Sequence, residues 1–300
     1  MTRRAHGLTS HEVAAITALV AVTSVWGATF VVVKDAVARM PVMDFLAWRF
    51  AIATLVMLAV RPRSVGQLDA VGRRRGVVLG LALGAGYVTQ TFGLQHTPAS
   101  VSGFITGLFV VFTPLCSAAL LRKRVDRATW IGVALATGGL ALLSLHGVAI
   151  GSGAGITLLC AIAFALHIVG LGEWSAAHDA AGLAVVQLST VAVISIVAAA
   201  PDSLAPPPDA KAWGAVLLTA IAATAVAFFV QTWAQAHLDP TRAAVVMTME
   251  PVFAGLFGVA FGGDPVSVRV VTGALLVLTA MYTVELGPRK AEDARFERFE

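Results

Sequence analysis

Charged residues are scarce in this 300-residue chain, where they make up 13% of the sequence, against about 25% in a typical soluble domain. Hydrophobic residues make up 58%, and the mean hydropathy is +0.83. So few charges cannot cover a water-facing surface, which excludes an ordinary soluble globular protein. We therefore expect the chain to lie in a lipid bilayer.

Cysteines and catalytic motifs are also scarce. The two cysteines, Cys116 and Cys160, fall within apolar segments, where a thiol behaves as a small hydrophobic group. Neither a disulfide nor a metal site is expected from them. The HExxH, GxxxxGK(S/T) and GxSxG patterns do not occur, nor does a clustered acidic pair. We therefore expect no cofactor, no ATP site and no enzymatic activity.

Apolar segments recur along the chain, each close to the length of about 20 residues that crosses a bilayer as a helix. The ten segments are 11–33, 42–60, 76–95, 98–121, 128–146, 154–172, 180–200, 211–237, 241–262 and 266–286. Their connections are short. The predicted fold class is an all-α integral membrane protein with ten transmembrane helices.

The basic residues are distributed unequally between the two sides of the membrane. With an even number of spans both termini share one side, and that side carries sixteen of the 21 Lys and Arg residues, against four on the other. The positive-inside rule then predicts a multi-pass protein of the bacterial inner membrane with both termini in the cytoplasm. Because membrane insertion accounts for this bias, we expect no nucleic-acid partner and see no sign of an obligate protein partner.

The chain repeats itself. Residues 87–98 reappear as 228–239, with Gln-Thr-aromatic and then His at the same spacing. A repeat at nearly half the chain length indicates two copies of one unit. Five spans per copy is an odd number, so the second copy enters from the opposite side as an inverted repeat. We predict repeats at 1–146 and 147–286, followed by a charged cytoplasmic tail at 287–300.

Each copy carries polar residues on one face of an apolar helix. An amide without a partner in hydrocarbon costs several kcal/mol, so Gln90 and Gln231 are expected to point into the protein. They either join helices by hydrogen bonds or line a solute cavity, and their matched positions in the two repeats favour the cavity. The candidate substrate-binding residues are Tyr87, Gln90, Thr91, Phe104, Phe228, Gln231, Trp233, Gln235 and Trp26.

Two charged residues lie inside spans. Glu250 is about ten residues into span nine, close to mid-depth, where a carboxylate costs at least about 2.5–3.5 kcal/mol. It is either a structural acid beside Pro251 or a functional group that couples protons or contacts a substrate amine. Arg49 in span two either extends its long side chain to the outer interface or belongs to a site. His96, His167 and His237 have no metal-ligand spacing and are expected to be hydrogen-bonded structural groups.

Short motifs lie along the chain, and some of them are matched between the two halves. They are Trp26-Gly27 followed by Lys34, Pro114 and Pro251 within spans four and nine, and Gly132 and Gly273 early in spans five and ten. Over about residues 11–286 the chain resembles the drug/metabolite transporter superfamily in its ten-helix EamA-type form. The resemblance implies an inner-membrane permease, typically an exporter of amino acids or related metabolites. It also implies a central cavity walled by spans from both repeats, including three, four, eight and nine.

An amide- and aromatic-rich cavity with few fixed charges suits a zwitterionic or neutral solute. We expect export of amino acids, aromatic or otherwise apolar, or of related small metabolites by alternating access, with a small-molecule substrate and the lipid bilayer as partners. The alternative is a multidrug or cationic-compound exporter, in which Glu250 supplies the counter-charge. A further alternative is a membrane sensor or scaffold that transports nothing.

The orientation of the termini is directly testable. We expect a fluorescent reporter fused after residue 300 and a tag placed before residue 1 both to lie in the cytoplasm. The loops rich in Lys and Arg stay on that side of the membrane, and the termini share it. Whole-cell fluorescence and accessibility of the tag to a membrane-impermeant label measure this. Termini on opposite faces of the membrane contradict the even number of spans.

Overall fold

The computed structural model describes residues 9–97, 99–122, 125–144, 153–202, 204–262 and 267–285. Within these ranges the chain forms thirteen α-helices and no β-strand. The first half contains α1 (Ser10–Val37), α2 (Val42–Val60), α3 (Ala70–Gln95), α4 (Ala99–Gly107), α5 (Phe109–Leu121) and α6 (Arg127–Ser144). The second half contains α7 (Gly153–Trp174), α8 (Ala180–Ala199), α9 (Ala210–Ala220), α10 (Ala227–Gln235), α11 (Pro240–Met247), α12 (Met249–Gly262) and α13 (Val268–Glu285).

The helices fit a membrane. In the described ranges seven helical segments are long and apolar enough to cross a bilayer, and parts of α6 and α13 form shorter apolar helices. Span four consists of α4 and α5, span eight of α9 and α10, and span nine of α11 and α12. The predicted fold class, an all-α integral membrane protein, is confirmed. The boundaries of the two repeats remain a prediction, and the tail at 287–300 lies outside the described residues.

Side-chain caps set where several helices begin. Thr9, Asp69, Asp179, Asp209 and Asp239 each accept a hydrogen bond from a backbone N–H in the first turn of the following helix. Such caps contribute about 1 kcal/mol each, because they satisfy donors that have no partner within the helix. Asp69 and Asp209 precede spans three and eight, so the repeat extends to the start of these spans.

Packing between the halves is reciprocal. The first span, α1, lies against spans eight and nine, and the sixth span, α7, lies against spans three and four. In addition α2 packs on α8, and α6 packs on α13. A two-fold relation between the halves requires this pattern, because it exchanges span one with six and span three with eight. Since each half has five spans, the related halves cross the bilayer in opposite directions.

Spans four and nine are both broken. The breaks fall at Leu108 and Thr248, which hold nearly equivalent positions in the two halves. In span nine the cause is local, since Pro251 has no N–H to donate to the carbonyl of Met247 one turn earlier. Pro114 lies further into α5, so the two prolines do not stand at the same distance from the breaks. Glu250 therefore sits at the start of a new helix rather than in the middle of one.

Glycines bring α3 close to α8. Gly76, Gly80 and Gly84 face Val186, Thr190 and Ile194 in successive turns. A methyl group on Gly80 would lie 2.5 Å from Cβ of Thr190 and 2.9 Å from the carbonyl oxygen of Gln187. Backbones that approach this closely gain dispersion contacts, which is how small residues hold helices together in lipid.

The contact at Gly80 predicts a difference between two alanine substitutions. We expect Gly80→Ala to destabilise the detergent-solubilised protein by about 1–3 kcal/mol, because the added methyl group overlaps α8. Gly103→Ala is the matched control, since no atom lies within 4 Å of the position its methyl group would take. Thermal unfolding followed by tryptophan fluorescence measures both. Equal melting temperatures for the two variants would contradict the close packing of α3 on α8 at Gly80.

Candidate functional site

A cavity lies between the two halves, with walls from spans one to four and six, eight and nine. It contains about 660 Å³ of space between atoms, its open mouth included. Its aromatic wall consists of Trp26, Phe30, Tyr87, Phe109, Phe164 and Phe228. Its main polar and charged groups are Arg49, Gln90, Thr106, His167, Gln231 and Glu250.

The structure separates the candidate residues into two groups. Those in the cavity wall are Trp26, Tyr87, Gln90, Phe228, Gln231 and Glu250. The remaining four, Thr91, Phe104, Trp233 and Gln235, do not line it. Thr91 is buried and donates to the carbonyl of Tyr87, and the Trp233 ring packs beside His237 with 5.1 Å between centroids. Phe104 packs on the apolar cluster around Phe109, and Gln235 lies buried behind Gln231.

Arg49 belongs to the cavity and does not extend to the interface. It is 4% exposed, and its Nε donates to Oγ1 of Thr224 at 2.7 Å. Its Nη2 donates to the Tyr87 hydroxyl at 3.3 Å and to the carbonyl of Ala223 at 3.4 Å. The guanidinium also lies 4.8 Å from the centroid of the Tyr87 ring. Among the described residues no carboxylate pairs with Arg49, and its Nη1 makes no hydrogen bond.

A π-helical segment, Ile221–Val226, joins α9 to α10 and supplies the acceptors that hold Arg49. The carbonyl of Ala223 accepts both from Arg49 and from Nε1 of Trp26, the latter at 2.9 Å. Wide helical turns of this kind occur frequently at functional sites. Here the segment links a cation of the first half and an aromatic ring of the cavity to the second half.

Glu250 lies in the first turn of α12, directly after the break in span nine. The side chain is half-buried and faces the cavity. With the residues that the structure describes, its carboxylate forms no hydrogen bond and no ion pair. The N-terminus of α12 favours negative charge there. The carboxylate is thus available to water or to a bound solute.

His167 is a buried, hydrogen-bonded histidine, as its isolation in the sequence predicts. Its Nε2 lies 2.7 Å from Oε1 of Gln187, and Nε2 of Gln187 donates to the carbonyl of Leu183 at 3.0 Å. Because that carbonyl only accepts, Oε1 of Gln187 faces His167 and the histidine donates. The ring also forms part of the cavity wall, a position that sequence spacing does not reveal.

The cavity lies toward one end of the helices that form its wall. Its residues on α1 and α3 all lie in the C-terminal halves of these helices. Toward the N-terminus of α1, Glu12 and Arg242 form an ion pair of 2.8 Å whose side chains are only 14% and 13% exposed. Beside it the rings of His11 and His237 stack with centroids 5.5 Å apart. The pair and the stack join the first half to the second.

Several proteins similar to this chain are named as transporters. The EamA-like transporter family matches residues 13–145 and again 151–286. An uncharacterized transporter of Archaeoglobus fulgidus is 32% identical over 268 residues, which are 89% of this chain and 84% of the relative. The uncharacterized inner membrane transporter YedA of Escherichia coli (strain K12) is 24% identical over 279 residues, 90% of each chain.

A solved crystal structure has the same fold. It matches with a TM-score of 0.76 at 18% identity and covers 96% of this chain and 99% of its own. At that identity the likeness concerns the fold alone. The family, in contrast, is shown by matches that cover both halves of the sequence, and they confirm the resemblance drawn from its motifs. The chain belongs to the EamA-like transporter family and is a multi-pass membrane transporter, not an enzyme.

Proposed function

We propose that the protein exports amino acids with aromatic or other apolar side chains, or closely related small metabolites, by alternating access around the cavity. It resides in the bacterial inner membrane with both termini in the cytoplasm. The observation that carries the proposal is that one aromatic cavity contains two side chains of opposite charge. Arg49 and Glu250 both face this space, and neither has an ionic partner among the described residues.

A zwitterionic solute suits both charges at once. Isolated charges in a low-dielectric interior are costly, and a bound counter-charge offsets that cost. The free Nη1 of Arg49 provides N–H donors for a carboxylate, which pairs with guanidinium through strong, charge-assisted hydrogen bonds. Glu250 provides an acceptor for an ammonium group. The aromatic wall then accommodates an apolar side chain.

Alternating access is supported by the way the two halves meet. Helices of both halves form the cavity wall, and the Glu12–Arg242 ion pair joins the two halves near the N-terminus of α1. Related inverted-repeat transporters expose a midplane site to each side in turn when one half rocks against the other. We take the predicted repeats, 1–146 and 147–286, as the two units that move.

The alternative is export of cationic drugs. Glu250 is a suitable counter-charge, and the aromatic rings are suitable for cation–π contacts with an organic cation. The position of Arg49 disfavours export of cationic drugs, because a buried guanidinium in the same cavity repels a cationic solute. The contrast between these two substrate classes is therefore the sharpest test.

We expect purified protein in liposomes to exchange labelled L-phenylalanine against an internal pool of the unlabelled amino acid. A labelled quaternary ammonium compound of similar size should not exchange. Counterflow measured in both assays with the same proteoliposomes separates the classes. Exchange of the cation without exchange of the amino acid overturns the proposal in favour of the alternative.

The two charges should contribute separately. We expect Arg49→Gln and Glu250→Gln each to weaken L-phenylalanine exchange about tenfold or more, because each removes a charge-assisted hydrogen bond worth about 1.5–3 kcal/mol. Arg61→Gln, in the loop after α2 and exposed, is the control and should exchange normally. The measurement is the KM of counterflow for each folded variant.

The Glu250 variant also separates its two roles. If Glu250 carries protons, Glu250→Gln abolishes accumulation driven by a pH gradient while exchange continues. If it contacts the ammonium group, exchange itself weakens. A variant with unaltered exchange and unaltered pH dependence would exclude both roles for Glu250.

A further inference from the structure

A short chain of hydrogen bonds, here called the relay, connects Gln231 through Gln235 to the backbone carbonyl of Ile168. Nε2 of Gln235 donates to the carbonyl of Ile168 at 2.9 Å, and Nε2 of Gln231 donates to Oε1 of Gln235 at 3.0 Å. Backbone carbonyls only accept hydrogen bonds, so Gln235 has to use its amino group there. Its oxygen is then left to accept from Gln231. The orientation of both amides is therefore fixed by the anchor at Ile168, although oxygen and nitrogen look alike in outline.

The relay leaves one atom without a partner. Oε1 of Gln231 is buried and makes no hydrogen bond with the described residues, while the residue forms part of the cavity wall. A buried acceptor left unpaired costs about 1–3 kcal/mol. In the described part of the chain the other buried side-chain atoms without a partner are serine hydroxyls, which can rotate. The Gln231 amide cannot, because the relay holds its other end.

The first half has no such relay. Gln90 occupies the position equivalent to Gln231, but the position equivalent to Gln235 is Leu94. Gln90 contacts the hydroxyl of Thr106 at 3.3 Å, and a hydroxyl both donates and accepts, so this contact fixes no orientation. Because α3 packs well with a leucine there, the fold does not require glutamine at this position. The second amide is specific to the second half.

We propose that Oε1 of Gln231 accepts a hydrogen bond from the ammonium group of the substrate, and that Gln235 is a positioning residue that keeps this oxygen toward the cavity. The inference rests on the proposed function and deepens it. With Glu250 it gives the second half two acceptors for one cationic group. A freely turning Gln231 would instead present its N–H donors, which suit a carboxylate and discriminate against the amine.

The test changes Gln235, which lies outside the cavity wall. Gln235→Leu reproduces the Gln90–Leu94 pair of the first half, and Gln235→Met is a second variant in case leucine packs poorly. Thr232→Val is the matched control, since Thr232 is a buried neighbour whose hydroxyl donates only to the carbonyl of Phe228. The probes are L-phenylalanine, which carries an ammonium group and a carboxylate, and 3-phenylpropionate, which has the same carboxylate and no ammonium group.

Binding of both probes is measured by calorimetry on the detergent-purified protein. We expect both Gln235 variants to lower the affinity for L-phenylalanine about tenfold relative to 3-phenylpropionate, and Thr232→Val to leave the ratio unchanged. A purely structural role for Gln235 would weaken both probes equally and would overturn the inference, as would an unchanged ratio in folded variants. Binding of L-phenylalanine that depends on Gln235, without exchange of L-phenylalanine in liposomes, overturns the proposed function alone.

Discussion

Polar groups inside a bilayer have no water to satisfy them, so each has to find its partner within the protein. This constraint accounts for the features that surround the cavity. Arg49 is held by Thr224, Tyr87 and a backbone carbonyl of the π-helical segment. Gln235 is anchored to the carbonyl of Ile168. In the cavity wall, the Glu250 carboxylate and one oxygen of Gln231 have no hydrogen-bond partner among the described residues.

The same constraint explains which parts of the structure the sequence could predict. Helices were predictable because apolar segments of spanning length have few alternatives in lipid. The inward direction of Gln90 and Gln231 was predictable too, since an amide facing lipid is costly. The breaks at Leu108 and Thr248 were not, because a polar stripe and a nearby proline do not specify where a helix will stop.

Individual site residues were harder to predict, for a geometric reason. Helical periodicity tells which residues share a face, but not which of them reaches the cavity and which meets a neighbouring helix. Gln235 shares a face with Gln231, yet it meets α7 and lies behind the wall. Helical periodicity does not indicate at all that Arg49 faces the cavity. The position of its side chain depends on the π-helical segment, whose Thr224 lies 175 residues later in the chain. No local sequence pattern around Arg49 predicts this contact.

The reciprocal packing of the halves has a consequence for biosynthesis. The first helix has most of its neighbours in the second half, and spans three and four pack against α7, which is synthesised after them. At about 5–20 residues per second, a ribosome needs roughly 7–30 seconds to make the missing half. During that interval Arg49 lacks the hydroxyl of Thr224 and the carbonyl of Ala223, its partners in the second half. A holding factor in the membrane, or temporary contacts among the early helices, would have to shield its side chain from lipid until synthesis ends.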